Sequence, residues 1–149
     1  MRRMFRPIAA LLALLAACAP AAASLGEDAG SVLADQARLQ ATLEVTSEAK
    51  FAVHRLQLSS GVSVRQYVSP AGMVFAVTWQ GPSLPDLRQL LGRYFDAYSR
   101  ALRTASAGGA RSVQQGGLAV ETGGHMRALF GRVYIPTMLP RGVSADAIQ

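Results

Sequence analysis

Between Trp79 and Leu102 the chain reads WQGPSLPDLRQLLGRYFDAYSRAL, with apolar residues at helical spacing. Leu87, Leu90, Leu91, Tyr94, Tyr98 and Leu102 make one stripe, and Gln89, Arg93, Asp96, Arg100 and Arg103 fall on the other side. Ser83 and Asp86 form an S-x-x-D capping pattern, and Pro85 is tolerated in a first turn, where its missing donor costs nothing. Asp96 and Arg100 stand four apart with the acid first, the favourable order. Arg100 and Arg103 lie in the last turns, where cations suit the helix dipole. The pattern predicts one amphipathic helix over Ser83–Leu102, with Gly108 and Gly109 closing the run. A weaker stripe, Val32, Leu33, Ala37, Leu39 and Leu43, predicts an N-terminal helix within Glu27–Leu43, capped by Asp28 or Ser31.

From Phe51 the period changes to two. Phe51–Leu58, Val62–Val68 and Met73–Trp79 are short runs rich in β-branched and aromatic residues, and Val62, Val64 and Val68 alternate with Ser63, Arg65 and Tyr67. The breaks have turn chemistry: Ser59-Ser60-Gly61, then Ser69-Pro70-Ala71-Gly72. This predicts a three-stranded meander that leads through Gly81-Pro82 into the main helix. Thr104–Gly117 reads as a Gly-rich connection with room for a short strand at Ser112–Gln115. Leu118–Glu121 and His125–Ile135 follow as two strands about Gly123-Gly124. Pro136 and Pro140 stop regular structure, and Ser144 caps a last turn ending at Ile148. No solenoid or propeller period is present. The expected fold is α+β: a mostly antiparallel sheet of about five strands, the main helix packed on it, and the weaker N-terminal helix beside it.

Length and leader narrow this further. The chain has 149 residues, enough for one ordinary domain. Met1–Ala23 reads as an export signal. Arg2, Arg3 and Arg6 form the positive region, and the apolar run Ile8–Ala17 is too short to span a bilayer as a helix. Ala21-Ala22-Ala23 is an A-x-A site, with cleavage between Ala23 and Ser24, leaving 24–149 as a single domain. A second exit competes: Leu15-Ala16-Ala17-Cys18 has the form of a lipobox, which would remove residues 1–17 and anchor the protein through lipidated Cys18. The expected address is therefore periplasmic or secreted, or alternatively the outer membrane as a lipoprotein. Cys18 is the only cysteine, so the mature chain has no thiol pair for a disulfide.

Charge adds little at this level. The formal net charge is +6, but three of the arginines belong to the leader. The remaining arginines are scattered along the chain and lysine occurs once, at Lys50. That pattern does not point to nucleic acid.

Candidate chemistry is sparse. There is no G-x-S-x-G, S-x-x-K, H-x-x-H, C-x-x-C or H-E-x-x-H spacing. The Gly pairs match neither a P-loop nor G-x-G-x-x-G, so no cofactor and no metal site are expected. The histidines are His54 and His125. Asp86 and Asp96 lie nearly three helical turns apart, too far to act on one bond. Serines occupy turns and caps. Trp79, Tyr67, Tyr94, Phe95 and Tyr98 read as core, because the tyrosines follow the helix stripe.

VRQYVSPAG (64–72), VFAVTWQGP (74–82), PDLRQLLGRYFDAY (85–98), GGHMRALFGRVYIP (123–136) and LPRGVSADAIQ (139–149), behind a leader followed by Ser24-Leu25-Gly26, resemble a family of exported proteobacterial proteins catalogued as domain of unknown function 2844. The resemblance covers essentially the whole mature chain. It implies a self-contained exported domain ending at Gln149, with a mature start near Ala-Ser-Leu-Gly that favours cleavage before Ser24. It carries over no activity. The dense run Gly123–Arg127 is where a site would be sought, with His125 and Arg127 as candidates.

Three functional expectations follow. The first is a non-enzymatic envelope protein that binds another protein or an envelope component, with any membrane contact through Cys18. The second is an extracytoplasmic enzyme in which His125 acts with Arg127 or Glu121. The third is attachment to an anionic surface through the helix arginines Arg93, Arg100 and Arg103.

Overall fold

The structure is a computed structural model that describes residues 24–105 and 111–149. Residues 1–23, the expected leader with Cys18 and Ala23, lie outside the described residues, as do Gly108 and Gly109. Two antiparallel meanders build one sheet. The first runs through β1 (Thr42–Ser47), β2 (Ala52–Gln57), β3 (Ser63–Val68) and β4 (Val74–Gly81). The second runs through β5 (Arg111–Gln115), β6 (Leu118–His125) and β7 (Ala128–Tyr134). β7 pairs with β4, so the strand order is β1-β2-β3-β4-β7-β6-β5.

The sheet has seven strands, which corrects the expected count of about five; the α+β class stands. The additional strands are β5, which the sequence left as an option, and β1. β1 escaped because five of its six residues are exposed, so no buried alternation marks it. The N-terminal helix is correspondingly shorter: α1 spans Gly30–Leu39 and ends at Gln40, whose φ is 50°. Asp28 serves its start, accepting from Gly30 N–H through Oδ1 at 2.7 Å.

The predicted Ser83–Leu102 helix is broken. α2 covers Leu87–Leu91, a 3₁₀ turn covers Gly92–Tyr94, and α3 covers Phe95–Thr104. The break sits at Gly92, with φ 46° and ψ −119°, a backbone shape that glycine reaches and a stripe analysis cannot see. Asp86, not Ser83, is the cap: its Oδ1 accepts from Gln89 N–H at 3.0 Å. The last hairpin also differs from expectation. Gly123 and Gly124 are inside β6, opposite Phe130 and Leu129, and the chain reverses at Met126-Arg127. Gly124 is required there because an added Cβ would lie 2.2 Å from the Ala128 carbonyl oxygen.

The helices cover one face of the sheet. Val64 and Val68 of β3, Val77 and Trp79 of β4, Val133 of β7 and Leu118 and Val120 of β6 point to that face and meet Val32, Leu87, Leu90, Leu91, Tyr98 and Ala101. Trp79 packs edge-on to Tyr98, centroids 6.1 Å apart, and stands opposite Gly131 in the register. The other face, called here the outer face, has a smaller core. A bulge at Tyr67/Val68 leaves Phe75 and Ala76 together on it, where Phe75 packs with Phe51 and Tyr67. Two 3₁₀ turns after β7, Pro136–Met138 and Ala145–Ala147, bring the chain back across this face and bury Ile148. That tail covers only part of the face.

Candidate functional site

The outer face carries one polar row that runs straight across the strands. The register places Glu44 opposite Arg55, Arg55 opposite Arg65, Arg65 opposite Thr78, Thr78 opposite Arg132, and Arg132 opposite Glu121. Each member sits at the outward position of its strand, because the inward neighbours are the apolar residues under the helices. Three arginines from β2, β3 and β7 thus share one row, with a carboxylate near each end.

Arg132 is the best anchored. Its Nη1 donates to the carbonyls of Ala145 and Ile148 at 2.5 and 2.7 Å, and its Nη2 binds Glu121 Oε2. Arg65 Nη1 donates to the Gln149 carbonyl at 2.5 Å, which also accepts from the hydroxyls of Tyr67 and Thr78. These bonds tie the tail to the sheet. Arg55 is exposed and stands directly opposite Arg65. Like charges at opposing strand positions repel, an arrangement that costs stability unless an anion meets them.

Beside the row the tail leaves a groove of about 280 Å³. Arg65, Thr78, Arg132 and Glu121 form its polar side; Phe130, 48% exposed, and Ile148 form its apolar side. Ser63 and Gln80, paired across β3 and β4, close one end. The arginines are held by backbone carbonyls, so the groove is formed in advance of any ligand.

The sequence candidates fall as follows. Glu121 lies in this groove, bound to Arg132. His125 is four positions further along β6, about 13 Å at the rise of a strand. It is exposed at the hairpin end and pairs with Ala128. Arg127 is exposed in the turn itself, at φ 66°. The structure therefore puts His125 and Arg127 on one exposed tip and does not bring Glu121 to them. Among the described residues no three His, Cys, Asp or Glu side chains gather as metal ligands, and no helix is long and apolar enough to cross a membrane. Of the helix arginines, Arg93 pairs with Glu27, while Arg100 and Arg103 are exposed on α3.

His54 is on the helix side of β2, with a buried Nδ1 that has no hydrogen-bond partner; burial holds its pKa below the ordinary histidine value. Tyr98 is pushed up to about 12 by burial. The row of Arg55, Arg65 and Arg132 had no signal in the linear sequence. The three lie 10 and 67 positions apart, and only the register of four strands joins them.

A family model described as a protein of unknown function, DUF2844, matches residues 21–148. No curated protein and no solved structure matches the chain.

Proposed function

Starting from a chain that belongs to the DUF2844 family of unknown function, we propose that it is an exported, non-enzymatic binding module whose outer face receives an acidic segment of a partner protein in the cell envelope. The observation that carries this reading is the Arg55–Arg65 pair, two guanidiniums set opposite each other on adjacent strands beside a preformed groove. A carboxylate over that pair relieves the repulsion and gains charge-assisted hydrogen bonds. The groove offers room for a neighbouring apolar side chain against Phe130 and Ile148. The leader pattern and the family resemblance support the exported address.

The test is photocrosslinking in the native cell, with a photoreactive residue at position 80 or 130, both on the groove and outside the arginine pair, and, as control, at the exposed Leu33 of α1. A discrete protein adduct from 80 and 130 but not from 33 supports the reading. The adduct should weaken in the Arg65→Gln background and with rising salt. Equal labelling at all three positions refutes it.

A further inference from the structure

Asp35 of α1 has 0% exposure and is the only acidic or basic side chain fully buried among the described residues. Its partners are neutral. Gln66 Nε2 donates to Oδ2 at 2.7 Å and Gln89 Nε2 donates to Oδ1 at 2.7 Å. Arg38, one turn away, is exposed and forms no ion pair with it. Burial accordingly raises the Asp35 carboxyl above the ordinary carboxylate value, even though hydrogen bonds from Ser24, Gln89 and Gln66 and the charge of Arg38 pull the other way. A buried carboxylate without a cation is among the costliest groups a core can hold.

The same pocket contains an orphan. Gln66 donates through Nε2 to both Asp35 and Ser24 Oγ, the latter at 2.6 Å, while its Oε1 is buried with no partner. One carboxylate and one unpaired carbonyl thus flank Ser24, which is itself 0% exposed. Ser24 is fixed there: its carbonyl accepts from Glu27 N–H at 3.0 Å and Leu25 N–H donates to Leu90 O at 3.2 Å. Its α-nitrogen is three bonds from Oγ, about 3 Å away on standard bond lengths. Asp35 thus has no ion-pair partner among the described residues, and the nitrogen that the predicted cleavage would free belongs to the residue whose Oγ shares the Gln66 amide with Asp35.

We propose that hydrolysis of the Ala23–Ser24 bond by a signal peptidase supplies a cation, and that the new Ser24 α-ammonium stays in the core as the ion-pair partner of Asp35. The step consumes one water. The C–N bond breaks, the water oxygen ends in the Ala23 carboxylate, and the nitrogen takes up protons to become the ammonium. Gln66 Oε1 accepts a second of its N–H bonds. Processing then completes the fold: an uncut chain holds Asp35 without its partner, and the cut chain does not. The inference rests on the export reading above, but not on the nature of the outer-face partner.

The experiment uses the chain starting at Ser24, made by cutting a removable tag that leaves no extra residue, and a second chain with one alanine ahead of Ser24. The first has only two primary amines, the Ser24 α-amine and the exposed Lys50, so Lys50 is an internal control. Acylation at neutral pH with an amine-reactive ester, read by peptide mass spectrometry, should modify Lys50 readily. The Ser24 amine should be protected at least 100-fold relative to the denatured chain. The alanine-extended chain should react at its α-amine like Lys50 and melt roughly 10 °C lower. Equal acylation of Ser24 in folded and denatured protein overturns the proposal. In an Asp35→Asn background the melting difference should vanish; its full persistence also overturns it. If that variant does not fold, the acylation comparison still decides. Sequencing the N-terminus of the protein from its native cell tests the export reading separately. A start at Ser24 supports both, and any other start overturns the use of this pocket in the cell even if the tag-released chain shows a protected amine.

Discussion

Gly131→Ala tests how the helix layer is seated. Gly131 is a β7 residue directly opposite Trp79 of β4, on the face that the helices cover. A Cβ added there would lie 2.1 Å from Trp79 Cζ2, 2.4 Å from Cε2 and 2.7 Å from Cη2. Three ring atoms inside ordinary contact distance mean the whole indole must withdraw, by about 1.5 Å if it is to reach normal van der Waals separation. Trp79 is 2% exposed and packs against Tyr98 of α3, so the ring can withdraw only by disturbing that pair or by moving into the hollow of about 240 Å³ that it lines with Tyr98, Leu102 and Phe130. Overpacking of this kind typically costs about 1–3 kcal/mol, and disturbing the aromatic pair adds about 0.5–1.5 kcal/mol. The expected loss is about 3 kcal/mol. With a urea dependence of about 1.5 kcal/mol per molar, the midpoint should fall by about 2 M. Trp79 is the only tryptophan, so its fluorescence reports both the unfolding curve and the local displacement. Trp79→Leu, followed by far-UV circular dichroism because it removes the fluorophore, should recover part of the loss in the double variant, since the clash is with the ring. An unchanged midpoint and emission maximum in Gly131→Ala, or no coupling between the two sites, would refute the account.

Other outcomes are expected elsewhere. Arg132→Met keeps the aliphatic stem but removes the bonds to Ala145 O, Ile148 O and Glu121; it should cost about 2–4 kcal/mol and speed amide hydrogen exchange across 145–149. Unchanged exchange there would show that Ile148 alone holds the tail. Arg127→Gly relieves a non-glycine residue at φ 66°, and after the added unfolded-state entropy should gain about 0.5 kcal/mol in urea denaturation. A loss instead would reveal a stabilising contact of the arginine side chain. The lowered pKa of His54 means its neutral form is favoured by folding. Its contribution is therefore fully present above the ordinary histidine pKa, near 6.5, and is lost as pH falls from there through the folded value. Replacing His54 with Leu should flatten the decline in stability between about pH 7 and pH 5, and an unaltered slope would assign that decline to other groups.

Local pattern was enough for much of the fold. The β-branched alternation placed β2, β3 and β4 to within two residues, and the Leu/Tyr stripe identified the residues that bury against the sheet. Tyr98 is core, as that stripe indicated, because a buried face repeats at the period of its own element; Trp79 and Tyr67 are core on strands β4 and β3, outside the stripe. The turn at Met126-Arg127 and the break at Gly92 were missed for a common reason. Each depends on a positive-φ backbone, at Arg127 and at Gly92, and neither changes the hydrophobic period.

Periodicity says which residues share a face, but not which strand lies beside which. Only the pairing of β7 with β4 brings Arg132 into line with Thr78, Arg65 and Arg55, and so creates a charged row from residues that look scattered along the chain. Asp35 shows the same limit from the other side. Its spacing from Val32 and Leu39 places it on the inner face of α1, yet its solvation depends on Ser24, Gln66 and Gln89 arriving from three other segments. Hydrophobic burial is encoded locally because it is non-directional, whereas the position of a charge relative to its partners depends on long-range register, and that is settled only when the sheet closes.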